Sequence, residues 1–123
     1  MMKRYSFRLE RLLQLRRYKE RQWEMKLAEI TGRCVRLENH IRHLHREKDQ
    51  YAGFSENGVL YPVNEILVRE NFRRRLDFEL EETGKELELA RRKREEVNIA
   101  YLAASRDRKV LDKLKERKAE EYY

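Results

Sequence analysis

The strongest constraint on the fold of this chain is a heptad spacing of apolar residues that occurs twice, on either side of one turn-forming segment. In both runs the residues alternate at steps of three and four, which is typical of helices wound left-handedly around a partner helix. The segment between the runs contains Gly53, the pair Asn57-Gly58 and the only proline, Pro62, and such residues end helices. The sequence therefore predicts an all-α fold, a long two-helix antiparallel coiled-coil hairpin.

We predict a single coiled-coil domain over residues 1–123, with helices at about 6–52 and 63–120 and a loop at about 53–62. The spacing of the first run includes the polar residues Arg16, Glu20 and Lys48, and Arg94 and Arg108 interrupt the second run. The apolar seam of the first helix comprises Leu9, Leu13, Trp23, Leu27, Ile30, Cys34, Leu37, Ile41, Leu44 and Tyr51. The seam of the second helix comprises Leu76, Leu80, Thr83, Leu87, Ala90, Val97, Tyr101, Ala104 and Leu111.

The two seams are compatible with pairing inside one chain. If the helices face each other across the turn, the residue numbers of facing layers have a constant sum. A sum of 117 places Leu37 opposite Leu80 and Cys34 opposite Thr83, each a seam position against a seam position. A register displaced by one heptad satisfies the same pattern.

The composition argues against an enzyme. Charged residues make up 43% of the chain, whereas globular domains contain about a quarter. A two-helix seam buries little apolar surface, so we expect no compact core and no enclosed catalytic pocket. None of the four glycines stands in a phosphate-binding spacing, and no nucleophile has a base in a local motif. We predict no catalytic residues, no cofactor and no small-molecule substrate.

A metal site and a membrane span are also not expected. His40 and His43 lie three residues apart on a helix, but no further Cys or His cluster offers a third and a fourth ligand. No apolar run approaches the roughly 20 residues that a membrane span needs. The lone Cys34 suits a reducing compartment, so we expect a cytoplasmic protein.

Charge is distributed unevenly along the chain, whose net charge is +7. Basic residues crowd both chain ends, which lie side by side in a hairpin. An acidic zone around residues 77–88 lies beside Lys26, Arg33, Arg36 and Arg42 of the first helix. We expect ion pairs between the helices in the middle of the hairpin and an open end that its own helices do not neutralise.

Apolar residues off the seam indicate two partner surfaces, because a two-stranded coil cannot bury them. The cluster at the open end comprises Phe7, Leu12, Leu15, Tyr18, Ile99, Leu102, Val110 and Leu114. The cluster near the turn comprises Phe54, Leu60, Leu67, Val68, Phe72 and Phe78.

Two segments near the chain ends have distinctive sequences: the opening FRLERLLQLR of residues 7–16, followed by Glu20, and the late KVLDKLKER of residues 109–117, with Glu120 and Tyr122. They resemble the most recognisable stretches of the FliJ family of cytoplasmic flagellar export proteins. The loop also lies where the family turns, and the likeness covers essentially the whole chain. The resemblance implies a hairpin like the central stalk of rotary ATPases and a role in type III export.

The resemblance also implies the partners. The paired chain ends would enter the hexameric export ATPase, and the protein would contact the cytoplasmic domain of the export gate and export chaperones, peripherally at the inner face of the membrane. The residues expected to bind the ATPase are Phe7, Arg8, Arg11, Leu12, Leu15, Ile99, Leu102, Lys109 and Leu114. Those that match the gate-binding positions of the family are Leu44, Tyr51, Phe72 and Leu76.

Two alternatives remain open at this point. The chain could be the equivalent stalk of a virulence type III secretion system. It could also be a basic coiled coil that binds nucleic acid or an acidic membrane through phosphate neutralisation. A leucine-zipper DNA reader needs one basic helix that continues into a zipper, whereas here the basic residues flank both chain ends. We therefore expect an acidic protein surface rather than nucleic acid as the partner.

Overall fold

A computed structural model of the chain describes residues 6–52 and 62–123, with only the backbone at residues 51 and 52. Within this part the chain forms two helices, α1 (Glu10–Ala52) and α2 (Val63–Tyr122), and no strand. The predicted all-α class and the antiparallel pairing of two helices are confirmed. Most of the predicted loop, together with Phe54 and Leu60 of the second apolar cluster, lies outside the described residues.

The helix starts follow from local backbone hydrogen bonds. The N–H of Glu10 donates to the carbonyl of Phe7 at 3.1 Å, so residues 7–10 form a turn and α1 begins four residues later than position 6. At α2 the carbonyl of Pro62 accepts from the N–H groups of Glu65 (3.0 Å) and Ile66 (3.1 Å). Glu10 and Glu65 each lie in a first turn, where a negative charge interacts favourably with the helix dipole.

The chain divides into two compact units. Unit 1 comprises Met1–Thr31 and Lys93–Tyr123, of which residues 6–31 and 93–123 are described. Unit 2 comprises Gly32–Arg92. Each unit contains one segment of α1 and one of α2.

The core of unit 1 largely follows the predicted seam. Leu13, Val97 and Leu111 are buried as expected, with Leu13 fully inaccessible. Leu9 is 38% exposed although it was assigned to the seam, because it precedes the first residue of α1 and does not follow the helical period. Ser105, one position off the seam, is buried as well.

The core of unit 2 also lies on the predicted seam. Cys34 is fully inaccessible, and it is an unpaired cysteine. The other buried members of this unit are Leu44, Leu76, Thr83, Leu87 and Ala90. Small and β-branched side chains such as Ala90 and Thr83 bring two helices close together, so this seam holds the segments by packing rather than by a large apolar core.

The register of the two helices differs from the predicted sum of 117. In unit 1, Arg17 and Asp112 form an ion pair whose residue numbers add up to 129. In unit 2, the residue numbers of the paired Glu38 and Arg91 also add up to 129, and those of the neighbouring His40 and Glu79 add up to 119. When two residues of an antiparallel coiled coil face each other beside the seam, the sum of their residue numbers differs from the layer sum by about two or five. The layer sum is therefore 124, and the register displaced by one heptad is the correct one.

Polar seam residues explain this choice of register. With a sum of 117, Glu20 would face Val97 and Arg108 would face Leu9, so both charges would lie against apolar side chains. In the structure Arg108 instead donates to both carboxylate oxygens of Glu20 at 3.1 and 3.3 Å. Burial of a charge without a partner is costly, and polar seam residues are known to select register.

Candidate partner-binding surfaces

A network of four charged side chains connects α1 and α2 in unit 1. Arg108 donates to Glu20 through Nε and to Asp112 through Nη1, the latter at 2.8 Å. Asp112 accepts a second hydrogen bond from Arg17 Nη2 at 2.9 Å. The side chains of Glu20, Arg108 and Asp112 are 15%, 26% and 27% exposed, so water screens the network only in part.

These contacts shift two pKa values. The hydrogen bond from Arg108 holds the pKa of Asp112 below its usual 3.8, and Arg17 lowers it further. The pKa of Arg108 is raised above its usual value, chiefly by the hydrogen bond to Asp112. The heptad spacing places Glu20 and Arg108 on the seam but does not indicate Arg17 and Asp112 as members of this network. Arg108 and Asp112 are four residues apart, a spacing that places oppositely charged side chains next to each other on a helix. This spacing could have indicated the pair from the sequence.

Two of the grooves in the described part of unit 1 contain residues expected to bind the ATPase. One, of about 550 Å³, is lined by Phe7, Arg8, Leu9, Leu114 and Tyr122 among others. It therefore brings together three residues expected to bind the ATPase. The other, of about 680 Å³, is lined mostly by basic side chains: Arg17, Arg106, Arg108, Lys109, Lys113 and Lys115.

Phe7 and Leu114 differ from the expectation that they project into solvent. Phe7 is only 9% exposed, and Leu114 is half-buried. The turn over residues 7–10 removes Phe7 from the helical period and places it in the wall of the first groove. These two residues therefore form a groove wall rather than a protruding apolar surface.

The remaining apolar residues expected to bind the ATPase are exposed. Leu12 is 37%, Leu15 is 48%, Ile99 is 60% and Leu102 is 47% accessible. Exposure of apolar surface to water is unfavourable by about 25 cal/mol per Å², and unit 1 exposes these four side chains. Their exposure is typical of a surface that a partner covers.

Basic residues surround these apolar side chains. Arg8, Arg11 and Lys109 are exposed, and none of them forms an ion pair with another described residue. The prediction that the open end is not neutralised by its own helices is nevertheless wrong in part. Three ion pairs join α1 and α2 within unit 1: Arg17 with Asp112, Glu20 with Arg108, and Glu10 with Lys115.

The residues expected to bind the export gate are distributed differently from the ATPase set. Leu44 and Leu76 are 2% and 3% exposed, as seam residues should be, so they hold unit 2 together and are inaccessible to a partner. Phe72 is half-buried and not fully outward as its off-seam position suggested, since it lies next to the seam. The side chain of Tyr51 lies outside the described residues.

Ion pairs between the helices of unit 2 involve other residues than those predicted. They join Glu38 with Arg91 and Lys48 with Asp77, rather than Lys26, Arg33, Arg36 or Arg42 with the acidic zone, and His40 forms a hydrogen bond with Glu79. His40 thus has a carboxylate partner at 3.2 Å. Across residues 6–52 and 62–123, no group of three potential metal ligands comes together.

Comparisons with known proteins identify the family. The family model described as "Flagellar FliJ protein" matches residues 5–123. The chain belongs to the flagellar FliJ family. Comparisons with curated proteins and with solved structures gave no significant match. FliJ membership confirms the resemblance seen in the terminal segments and makes the chain a component related to flagellar protein export. Neither helix in the described part of the chain is apolar enough over a sufficient length to cross a membrane.

Proposed function

We propose that this FliJ protein is a non-enzymatic coupling protein of the flagellar type III export apparatus that binds the export ATPase ring through unit 1. The observation that carries the proposal is the coincidence, in a FliJ chain, of exposed Leu15, Ile99 and Leu102 with the cations Arg8 and Lys109. A partner of opposite charge with apolar side chains would cover both kinds of group. The paired chain ends would enter the ring as the stalk of a rotary ATPase does.

The mechanism is differential binding. A ligand shifts an equilibrium only by the difference between its affinities for the two states. Unit 1 would therefore promote ring assembly or turnover if its surface fits the assembled ATPase better than free subunits. The exposed cations would increase the association rate through long-range attraction to an acidic partner.

The proposal extends to the export gate and to export chaperones. Among the family-matching side chains that the structure describes in unit 2, Phe72 is the accessible one, because Leu44 and Leu76 are buried. We propose that Phe72 and its exposed neighbours contact the cytoplasmic domain of the gate, so that separate surfaces serve the ATPase and the gate. Such an arrangement would hold the protein peripherally at the inner face of the membrane.

ATP hydrolysis by a purified flagellar export ATPase tests the proposal. The wild-type protein should raise the rate, and the variant Arg8→Glu/Arg11→Glu/Lys109→Glu should raise it at least about fivefold less at low salt. A matched control, Arg33→Glu/Arg36→Glu/Arg42→Glu, reverses three exposed charges of unit 2 and should stimulate normally. Equal stimulation by both variants would contradict the assignment to unit 1.

A further inference from the structure

Two pairs of exposed apolar side chains on α2 share the same spacing. Between residues 69 and 121, Phe78, Leu89, Ile99 and Val110 are the large apolar residues at least 60% accessible, at 66%, 64%, 60% and 62%. Phe78 and Leu89 are eleven residues apart, and so are Ile99 and Val110. Eleven residues are about three helical turns, so each pair lies on one side of the helix. We call residues 78–89, which begin and end with Phe78 and Leu89, the unit 2 patch. Residues 99–110, which begin and end with Ile99 and Val110, are the unit 1 patch.

The two patches have opposite charge. The unit 2 patch contains one exposed lysine and five exposed glutamates: Glu79, Glu81, Glu82, Glu86 and Glu88. The unit 1 patch contains one aspartate and two exposed basic residues, Arg106 and Lys109. Arg108 does not contribute to it, because it is half-buried and already paired with Glu20 and Asp112. Equal apolar spacing combined with opposite charge makes the segments complementary to each other.

We propose that the unit 2 patch of one copy of this protein binds the unit 1 patch of a second copy. The equal spacing lets both apolar residues of one patch meet both of the other. Opposed charges steer the encounter and penalise wrong pairings. An acidic amphipathic helix of another protein is the competing occupant, but this chain itself carries the segment with the matching spacing and charge.

Charge pairing sets the direction of the two helices. With Phe78 opposite Val110 the helices run antiparallel, and with Phe78 opposite Ile99 they run parallel. The antiparallel arrangement gives two oppositely charged pairs and one like-charged pair: Glu82 with Arg106, Glu79 with Lys109, and Glu81 with Asp107. The parallel arrangement gives one oppositely charged pair and two like-charged pairs: Glu88 with Lys109, Lys85 with Arg106, and Glu86 with Asp107. The antiparallel arrangement is therefore favoured.

The contact is small and should be reversible. Two pairs of apolar side chains bury less area than a standard interface of about 1,600 Å², so we expect a dissociation constant on the order of 10–100 µM. If unit 1 also binds the export ATPase as proposed above, Ile99 would serve both contacts. Self-association would then compete with ring binding and keep free protein out of the ring.

Analytical ultracentrifugation of the purified protein alone tests this inference. The weight-average mass of the wild type should rise from 15.3 kDa towards at least twice that value with increasing concentration. Glu82→Arg and Arg106→Glu should each weaken self-association about tenfold. An equimolar mixture of the two variants should associate again, because Arg at position 82 of one copy then faces Glu at position 106 of the other. The double variant should self-associate for the same reason.

Controls separate this contact from general charge effects. Glu24→Arg changes the net charge as Glu82→Arg does but lies on α1, so it should leave the association constant unchanged. Circular dichroism shows whether each variant keeps its helices. A wild-type mass that stays at 15.3 kDa up to about ten times the expected dissociation constant, or failure of both the mixture and the double variant to associate, would overturn the inference in favour of another protein as occupant.

Discussion

Arg108 and Asp112, one turn apart on α2, form a hydrogen-bonded ion pair at 2.8 Å that shifts the pKa values of both groups. The same guanidinium binds Glu20 of α1, and the same carboxylate accepts from Arg17 of α1. The pair therefore joins the two helices of unit 1 where the polar residues Glu20 and Arg108 occupy seam positions. Charge-assisted hydrogen bonds of this kind contribute more than neutral ones.

Replacement of Asp112 by Asn should produce a pH-dependent loss of stability. Because the folded pKa of Asp112 is lowered below 3.8, its contribution is fully present above the unfolded pKa and is lost as the pH falls through the folded value. We expect the variant to be less stable by about 1 kcal/mol at pH 7 and by progressively less as the pH falls below 3.8. Urea unfolding at a series of pH values measures the difference.

The exposed Asp107 of the same helix provides the control. Within the described residues it forms no ion pair, so Asp107→Asn should change the free energy of unfolding little at any of these pH values. A difference between wild type and Asp112→Asn that is independent of pH would show that the carboxylate charge does not stabilise the network.

The register gives a sharp prediction for disulfide formation in unit 2. With a layer sum of 124, Cys34 faces Ala90, whereas with 117 it faces Thr83; all three residues are buried. Under mild oxidation Ala90→Cys should form an intramolecular disulfide with Cys34, and Thr83→Cys should not. Non-reducing electrophoresis and peptide mapping identify the product. A disulfide formed by Thr83→Cys but not by Ala90→Cys would show that the layer sum is 117 rather than 124.

The seam could be predicted from the sequence because its period survives the polar interruptions. Leu13, Cys34 and Leu87 are buried where the heptads place them. The register could not be fixed in this way, since a shift of one heptad maps every seam position onto another seam position. It depends on which polar residues become partners, and Arg17 and Asp112 meet although their numbers differ by 95.

The candidate surfaces were only partly predictable. Exposure of Leu15 and Ile99 followed from their off-seam positions. The burial of Phe7 did not, because a turn before Glu10 breaks the helical period there. The partial burial of Phe72 likewise depends on packing at the edge of the seam, which a two-letter pattern of apolar and polar residues does not contain.

Gly84 offers a test of helix packing. It lies inside α2, and apart from the adjacent residues and the backbone of its own helix, a Cβ atom at this position meets no atom of the described residues within 4 Å. Gly84→Ala should therefore raise the free energy of unfolding by about 0.5–1 kcal/mol, since alanine restricts the unfolded chain and has the higher helix propensity. Thermal unfolding followed by circular dichroism measures the effect. A lower stability would mean that a partner helix approaches this position closely.

Phe72→Ala tests the proposed gate surface. If Phe72 is an aromatic anchor, its truncation should weaken binding to the purified cytoplasmic domain of the gate at least about fivefold and leave ATPase stimulation unchanged. Leu89→Ala, which removes a 64% exposed apolar side chain of the same unit, should bind the gate normally. Unchanged gate affinity for Phe72→Ala with intact helices would place the gate site elsewhere, and lost helicity would show that Phe72 is a core residue.

The most direct test of the central claim is the affinity of this FliJ protein for a purified flagellar export ATPase, measured by titration at low and physiological salt. We predict that the wild type binds and that its affinity falls as salt screens the unit 1 cations. Leu15→Ala/Ile99→Ala should bind more weakly at both salt concentrations, because it removes apolar contact, and Arg8→Glu/Arg11→Glu/Lys109→Glu should lose most affinity at low salt. Absence of binding by the wild type, or equal affinities for all three proteins, would contradict the account.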